Sequence, residues 1–290
     1  MSEHNLSSNI NTLADRAVLA RLTRSTLRTS FRDKDLEATV RTQAGDDSIT
    51  VHKHLFRDKG NRVRIMLAEA AEIYRMHMER TLPWIDRGPR LLPSADFLQY
   101  SQDMRDAIDK LTAKVPSLQA DWPALVQADI ASRGGAASVD DYPAQEDLPG
   151  MFSFDLHIMP LPDTKDFRVQ VDEATKQSLE RALAAAEQTA RSDILRRMLE
   201  PLSKAADKLS VPIGEQGSIF RDSLIENIKE GLAQAKSLNI VDDPDLQAII
   251  DRVEDVVERT VSQPDALRTQ QGARDNAKRE LDDLLNNLGM

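Results

Sequence analysis

Residues 172–209 read DEATKQSLERALAAAEQTARSDILRRMLEPLSKAADKL, and the way this stretch folds decides the architecture. Leu179, Leu183, Ala186, Ala190, Ile194, Met198, Leu202, Ala205 and Leu209 follow one another in steps of three and four. That spacing returns to one side of an α-helix and to neither face of a strand, so it predicts a single amphipathic helix with a continuous apolar stripe. Asp172 and Glu173 suit its N-terminal end, where negative charge is favoured. At 1.5 Å per residue, about 35 residues span roughly 50 Å. Pro201 lies inside the pattern and predicts a kink.

Downstream the pattern repeats. Ser218 to Leu238 carries Phe220, Leu224, Ile228, Leu232 and Ala235 at helical spacing. Asp243-Pro244 opens a helix through Val261, and Pro264 opens a last one to Leu288, proline being tolerated in a first turn. Polar residues from Arg268 to Asn276 interrupt that final stripe and argue against one long zipper. The fold class expected is mainly α: an elongated helical bundle of long amphipathic helices with coiled-coil character and one inserted β-hairpin.

The hairpin is read immediately upstream. Phe152, Phe154, Leu156 and Ile158 alternate with Ser153, Asp155 and His157, and a second alternation runs Phe167, Val169, Val171. A two-stranded hairpin is marginal alone, so its apolar face must lie on helices or on another chain. Phe152 and Phe154 are thereby candidate partner-binding residues.

In the N-terminal third, Leu13 to Phe31 is read as a helix in which Arg21, Arg24, Arg28 and Arg32 share one face, three or four residues apart. These four arginines are candidate contacts for phosphates or an acidic partner, against the plainer reading of a solvated face. Gly45-Asp46-Asp47-Ser48 breaks the pattern, and Ile49 to Phe56 is ambiguous, leaning to helix. Val63 to Met78 predicts a central helix closed by Leu82-Pro83. The proline-rich segment Thr81 to Pro93 reads as a rigid corner loop, with Trp84 in the core and Asp86 paired to Arg87 or Arg90. Ser94-Ala-Asp96 precedes a helix to about Lys114, a second ends near Ser132, and Arg133 to Ser138 reads as a hinge. Three regions result: 1–132 helical, 133–173 linker and hairpin, and 174–290 the long-helix bundle.

Composition bounds the chemistry. The 290 residues include 38 Lys and Arg against 48 Asp and Glu, a formal charge of −10 that opposes nonspecific binding to nucleic acid or anionic membranes. With no cysteine, disulfides, Cys-based zinc sites and thiol catalysis are excluded. No apolar run reaches the roughly 20 residues of a spanning helix, and Met1-Ser2-Glu3-His4-Asn5 lacks a signal-peptide pattern, so a cytoplasmic protein without a membrane role is expected. No GxxxxGK[ST], GxGxxG, HExxH, GxSxG or DxDxDG motif occurs. The five histidines have no carboxylates at ligand spacing, and Asp140-Asp141, Asp242-Asp243 and Asp282-Asp283 are placed as caps or solvated groups. No catalytic residue, metal or cofactor is assigned.

Four segments carry a resemblance: Thr81-Leu-Pro-Trp-x-Asp-x-Gly-x-Arg90-Leu-Leu-Pro93; Asp141-Tyr142-Pro143; Pro160-x-Pro162 with Asp166-Phe167-Arg168-Val169; and Phe220-Arg-Asp-Ser-Leu-x-x-Asn227 with Leu238-Asn239. In this order they resemble a phage and prophage protein family of unknown function, often encoded near a MoxR-type AAA+ ATPase and a von Willebrand A-type protein. The likeness runs from about residue 50 onward. It implies a phage-encoded accessory protein in the host cytoplasm and carries no catalytic assignment. The function expected is a non-enzymatic adaptor or inhibitor acting by binding a host or phage protein, with a ring AAA+ ATPase or a second copy of the chain as candidate partners. The alternative is a nucleic-acid-handling factor using the basic N-terminal helix.

Overall fold

The structure, a computed structural model, describes residues 13, 15–84, 88–134, 137–161, 173–240, 242–261 and 263–288. Of these residues, 67% are helical. In chain order come β1 (Ala17–Thr26), β2 (Ser30–Arg32), α1 (Lys34–Ala44), β3 (His52–His54), α2 (Arg62–Glu79), β4 (Leu82–Pro83) and β5 (Arg90–Pro93). Then follow α3 (Phe97–Thr112), α4 (Val115–Ser132), β6 (Phe152–Pro160), α5 (Glu173–Leu209), α6 (Asp222–Leu238), α7 (Pro244–Val261), α8 (Pro264–Thr269) and α9 (Gln271–Asn287). The chain forms two compact units: one from Met1–Arg21, Glu79–Phe97 and Ile158–Met290, the other from Leu22–Met78 and Leu98–His157.

The first unit is organised by the stretch 172–209. It forms the predicted single helix, α5, of 37 residues that continues through Pro201. From Leu183 to Leu209 every residue of the apolar stripe is buried. Helix α6 packs along α5, α7 along α6, α9 along α7, and α9 returns to α5, closing a ring of four helices. The contact between α5 and α6 is unusually close at Gly231 on α6, which lies against the α5 backbone. The expected last helix is two, α8 and α9, divided at Gln270, whose backbone is extended at φ −122° and ψ 111°.

The expectation of a single bundle with one hairpin is overturned by the β structure. Strands β4, β5, β1 and β6 form a four-stranded antiparallel sheet in that order, and β2 and β3 form a separate pair. Leu13 to Phe31 is therefore not a helix. Ala17↔Pro93, Val18↔Leu92, Leu19↔Leu91 and Ala20↔Arg90 register β1 against β5, and β5 in turn pairs with β4 through Leu82↔Leu91. The proline-rich corner is thus two strands and their connection. Its prolines sit where a missing donor costs little: Pro83 and Pro93 are strand-end residues. Trp84 is buried in the core as expected; Asp86 and Arg87 lie outside the described residues.

Ile49 to Phe56 holds β3 rather than a helix, registered on β2 by Ser30↔His54, Phe31↔Lys53 and Arg32↔His52. Residues two apart on a strand share a face, so His52 and His54 lie together on the exposed side. Of the expected hairpin, the first strand is β6, but it is a member of the four-stranded sheet beside β1. The expected second strand, Phe167 to Val171, lies outside the described residues.

The second unit holds a helix, α1, that the sequence reading did not place. Asp33 caps α1 by accepting the Leu36 N–H at 3.1 Å, and Gly45 ends it at φ +64°. Helices α2, α3 and α4 follow the predicted spans within a few residues. Phe56, Trp122 and Tyr142 form an aromatic cluster, with ring centroids 5.3 and 5.4 Å from Phe56. Phe56 holds a left-handed backbone at φ +49° because the Asp129 carboxylate accepts its N–H at 3.0 Å and the two rings clamp its side chain. The same carboxylate oxygen accepts the Tyr142 hydroxyl at 2.6 Å. Burial, then this neighbouring negative charge, pushes the phenol's pKa up.

Candidate functional site

The residues singled out from sequence do not form one surface. Arg21 and Arg24 are three apart on β1 and so point to opposite faces of the strand; Arg28 is in the connection, and Arg32 is on β2. The helical stripe is absent because its backbone is extended. Arg24 stacks on Tyr74, with its guanidinium carbon 3.8 Å from the ring centroid. Arg32 is held by Glu37, donating through Nε at 2.6 Å. Phe152 is 1% exposed and serves as a core residue, and Phe154 is half-buried.

A different feature stands out in the first unit: the connection from Ser210 to Arg221, between α5 and α6. It begins where α5 runs out of intrahelical donors, leaving its last carbonyls unpaired. The Ser210 hydroxyl turns back to the Asp207 carbonyl at 2.6 Å. Arg274, from α9, supplies the rest. Its Nη2 donates to the Lys208 carbonyl at 2.7 Å and to the Ser218 carbonyl at 2.8 Å, and its Nε to the Leu209 carbonyl at 3.3 Å. This guanidinium is 1% exposed, the largest fully buried side chain among the described residues. Burial pushes its pKa down, while the negative end of the α5 dipole and three carbonyl oxygens favour the cation there.

The remainder of the connection is fixed from the same side. Arg268, on α8, donates through Nε to the Phe220 carbonyl at 2.9 Å and pairs with Asp222. The Gln271 side chain accepts the Ile213 N–H at 3.0 Å. Inside the loop, the Glu215 N–H reaches the Pro212 carbonyl and the Ser218 N–H the Glu215 carbonyl. Gly214 and Gly217, at φ +94° and +91°, allow these two turns, a region costly for any residue with a β-carbon. Phe220 anchors the far end in the core at 1% exposure.

Two of the side chains this scaffold presents are large and apolar. Ile219 is 67% exposed and Ile213 is 37% exposed, although both belong to a loop tied at three residues to α8 and α9. The polar stretch Arg268 to Asn276, read from sequence as an interruption of the last helix, is the part that does the tying. Sequence reasoning missed the site because a buried arginine among polar neighbours looks like a surface one. The signal in the sequence is the pair Gly214 and Gly217, with Ile213 before it and Ile219 after it.

Among the described residues no group of three or more His, Asp and Glu is placed to hold a metal ion, and no helix is long and apolar enough to cross a membrane. Comparison with protein-family models, curated proteins and solved structures finds no match.

Proposed function

We propose that this chain is a phage-encoded, non-enzymatic adaptor or inhibitor that acts by binding a host or phage protein. The observation that supports it is the Ser210 to Arg221 loop, which holds Ile213 and Ile219 out of the core on a braced backbone. Immobilised apolar side chains lose little conformational entropy on binding, which is what lets a few residues carry much of an interface's energy. The MoxR-type AAA+ ATPase encoded beside members of the resembling family is the partner to test first.

The test is titration calorimetry of the purified chain against that ATPase. Ile213→Asp combined with Ile219→Asp weakens binding at least about tenfold, or about 1.4 kcal/mol. The double variant keeps the wild-type melting temperature, since both positions are exposed. Leu98→Asp, at a site 78% exposed in the other unit, leaves the affinity unchanged. Equal affinity of the double variant and the wild type overturns the reading.

A further inference from the structure

Two cation-rich stretches of this acidic chain lie side by side in the second unit. Residues 20–32 hold Arg21, Arg24, Arg28 and Arg32 and no carboxylate, and residues 52–64 hold Lys53, Arg57, Lys59, Arg62 and Arg64 with Asp58 alone against them. The pairing of β2 with β3 joins the two stretches. Part of this charge is answered inside the fold: Arg32 pairs with Glu37, Lys53 with Asp33 and Asp141, and Arg62 with Asp121. Arg21 belongs to the first unit. Among the described residues, Arg24, Arg28, Arg57, Lys59 and Arg64 have no carboxylate partner, and all five are exposed.

Neutral contacts fix where these cations stand. The Thr29 carbonyl accepts the Leu55 N–H at 2.8 Å, and the Thr29 hydroxyl accepts a hydrogen bond from Arg64 Nη1 at 3.1 Å. Arg28, one residue before Thr29, and Arg57, two after Leu55, are thereby gathered with Arg64 at one end of the β2–β3 ribbon. Arg24 lies farther along α2, its guanidinium carbon 3.8 Å from the centroid of the Tyr74 ring. Tyr74 is ten residues beyond Arg64 on that helix, about 15 Å at 1.5 Å per residue. Asp58 is turned back into its own loop, where its carboxylate accepts the Gly60 N–H at 3.0 Å.

From this arrangement we infer that the face carrying Arg24, Arg28, Arg57, Lys59 and Arg64 binds the phosphate backbone of nucleic acid without reading its bases. One strand of a duplex carries a charge per about 3.4 Å of axis, so about 15 Å of it offers about four phosphates to these cations. A hydroxyl and an aromatic ring orient Arg64 and Arg24 without cancelling their charge, which leaves each planar fork available to a phosphate. The exposed residues between Arg24 and Arg28 are Ser25 and Thr26. Small polar side chains suit contacts to a backbone, whereas an acidic protein segment would need an apolar anchor at the centre of its interface. The net charge of −10 repels nucleic acid elsewhere, so binding through this face is modest and strongly salt-dependent. This inference stands apart from the role proposed for the Ser210 to Arg221 loop.

Fluorescence anisotropy of a short labelled DNA duplex, titrated with the full chain at a series of salt concentrations, tests it. The wild-type chain binds at low salt, duplexes of different sequence bind alike, and the logarithm of the affinity falls against that of the salt concentration with a slope of about −4. Arg28→Ala with Arg57→Ala weakens binding at least about tenfold and brings the slope to about −2, each lost phosphate contact removing about one. The melting temperature of this variant stays at the wild-type value, since neither side chain is ion-paired. Lys110→Ala with Lys229→Ala makes the same change of charge at exposed sites elsewhere and leaves the affinity within about twofold. Absence of binding at low salt, a slope unchanged in the arginine variant, or an equal loss in the lysine variant overturns the inference. Polyglutamate that competes as well as unlabelled duplex also overturns it and assigns the face to an acidic protein segment.

Discussion

A β-carbon built on Gly231 would lie 2.6 Å from the carbonyl oxygen of Arg197, closer than side-chain carbons approach any backbone atom. The two residues belong to α6 and α5, whose contact is the most extensive in the four-helix ring. Arg197 is itself tied down: its Nη1 and Nη2 donate to the Glu79 and Thr81 carbonyls at 2.8 Å each. The α5 backbone at this point therefore has little room to give way.

Gly231→Ala should for that reason destabilise the protein, against the usual gain of about 1 kcal/mol for replacing glycine in a helix. Overpacking against backbone costs about 1–3 kcal/mol, and here the obstacle is a main-chain oxygen rather than a movable side chain. A lowered denaturation midpoint is expected. Unchanged or raised stability would mean that the helices separate without cost.

Arg274→Met keeps much of the side-chain volume and removes every donor. Three carbonyls, those of Lys208, Leu209 and Ser218, lose a buried partner, and each such loss costs about 1–3 kcal/mol where water cannot replace it. A total of about 3 kcal/mol is expected in chemical denaturation. Amide exchange should accelerate first in the Ser210 to Arg221 loop, and a uniform effect across the bundle would contradict the bracing role.

Glu37 carries a pH dependence of known sign. The Arg32 side chain, with the Val51 N–H and Arg41, holds its carboxyl at a pKa of about 2, below the ordinary 4.5. A depressed folded-state value means the stabilisation is complete above about pH 4.5 and is lost as the pH falls through about 2. Glu37→Gln should be less stable than wild type near neutrality, with the gap narrowing on acidification across that window. A gap independent of pH would assign the effect to packing.

Ile194→Asp places a carboxylate in the middle of the α5 stripe, at a position 3% exposed. Burial without a partner costs about 4 kcal/mol or more, and the melting temperature should fall steeply. An unaltered melting temperature would mean that the stripe does not face the core.

The helices were legible in the linear sequence. Spacing alone located α5 to within a residue or two, because the partners that bury Leu183, Ile194 and Leu209 act through a face the chain itself defines by turning every 3.6 residues. Proline at the start of α7 and α8 was legible for the same reason, being local backbone chemistry, whereas α1 went unread. The candidate loop was visible only as two glycines, with no sign of its braces.

The strands and the site were decided by tertiary structure. Ala17 to Ala20 pairs with Arg90 to Pro93, 70 or more positions along the chain, and nothing near Ala17 records that partner. Its alternating arginines and leucines fit a helical stripe equally well until the hydrogen bonds of β5 claim the backbone. Arg274 likewise reads as solvated until the end of α5, some 65 residues earlier, is brought against it. Periodicity is a property of one segment and is written in it, whereas a hydrogen-bond partner is a property of two, and only the folded chain brings them within 3 Å.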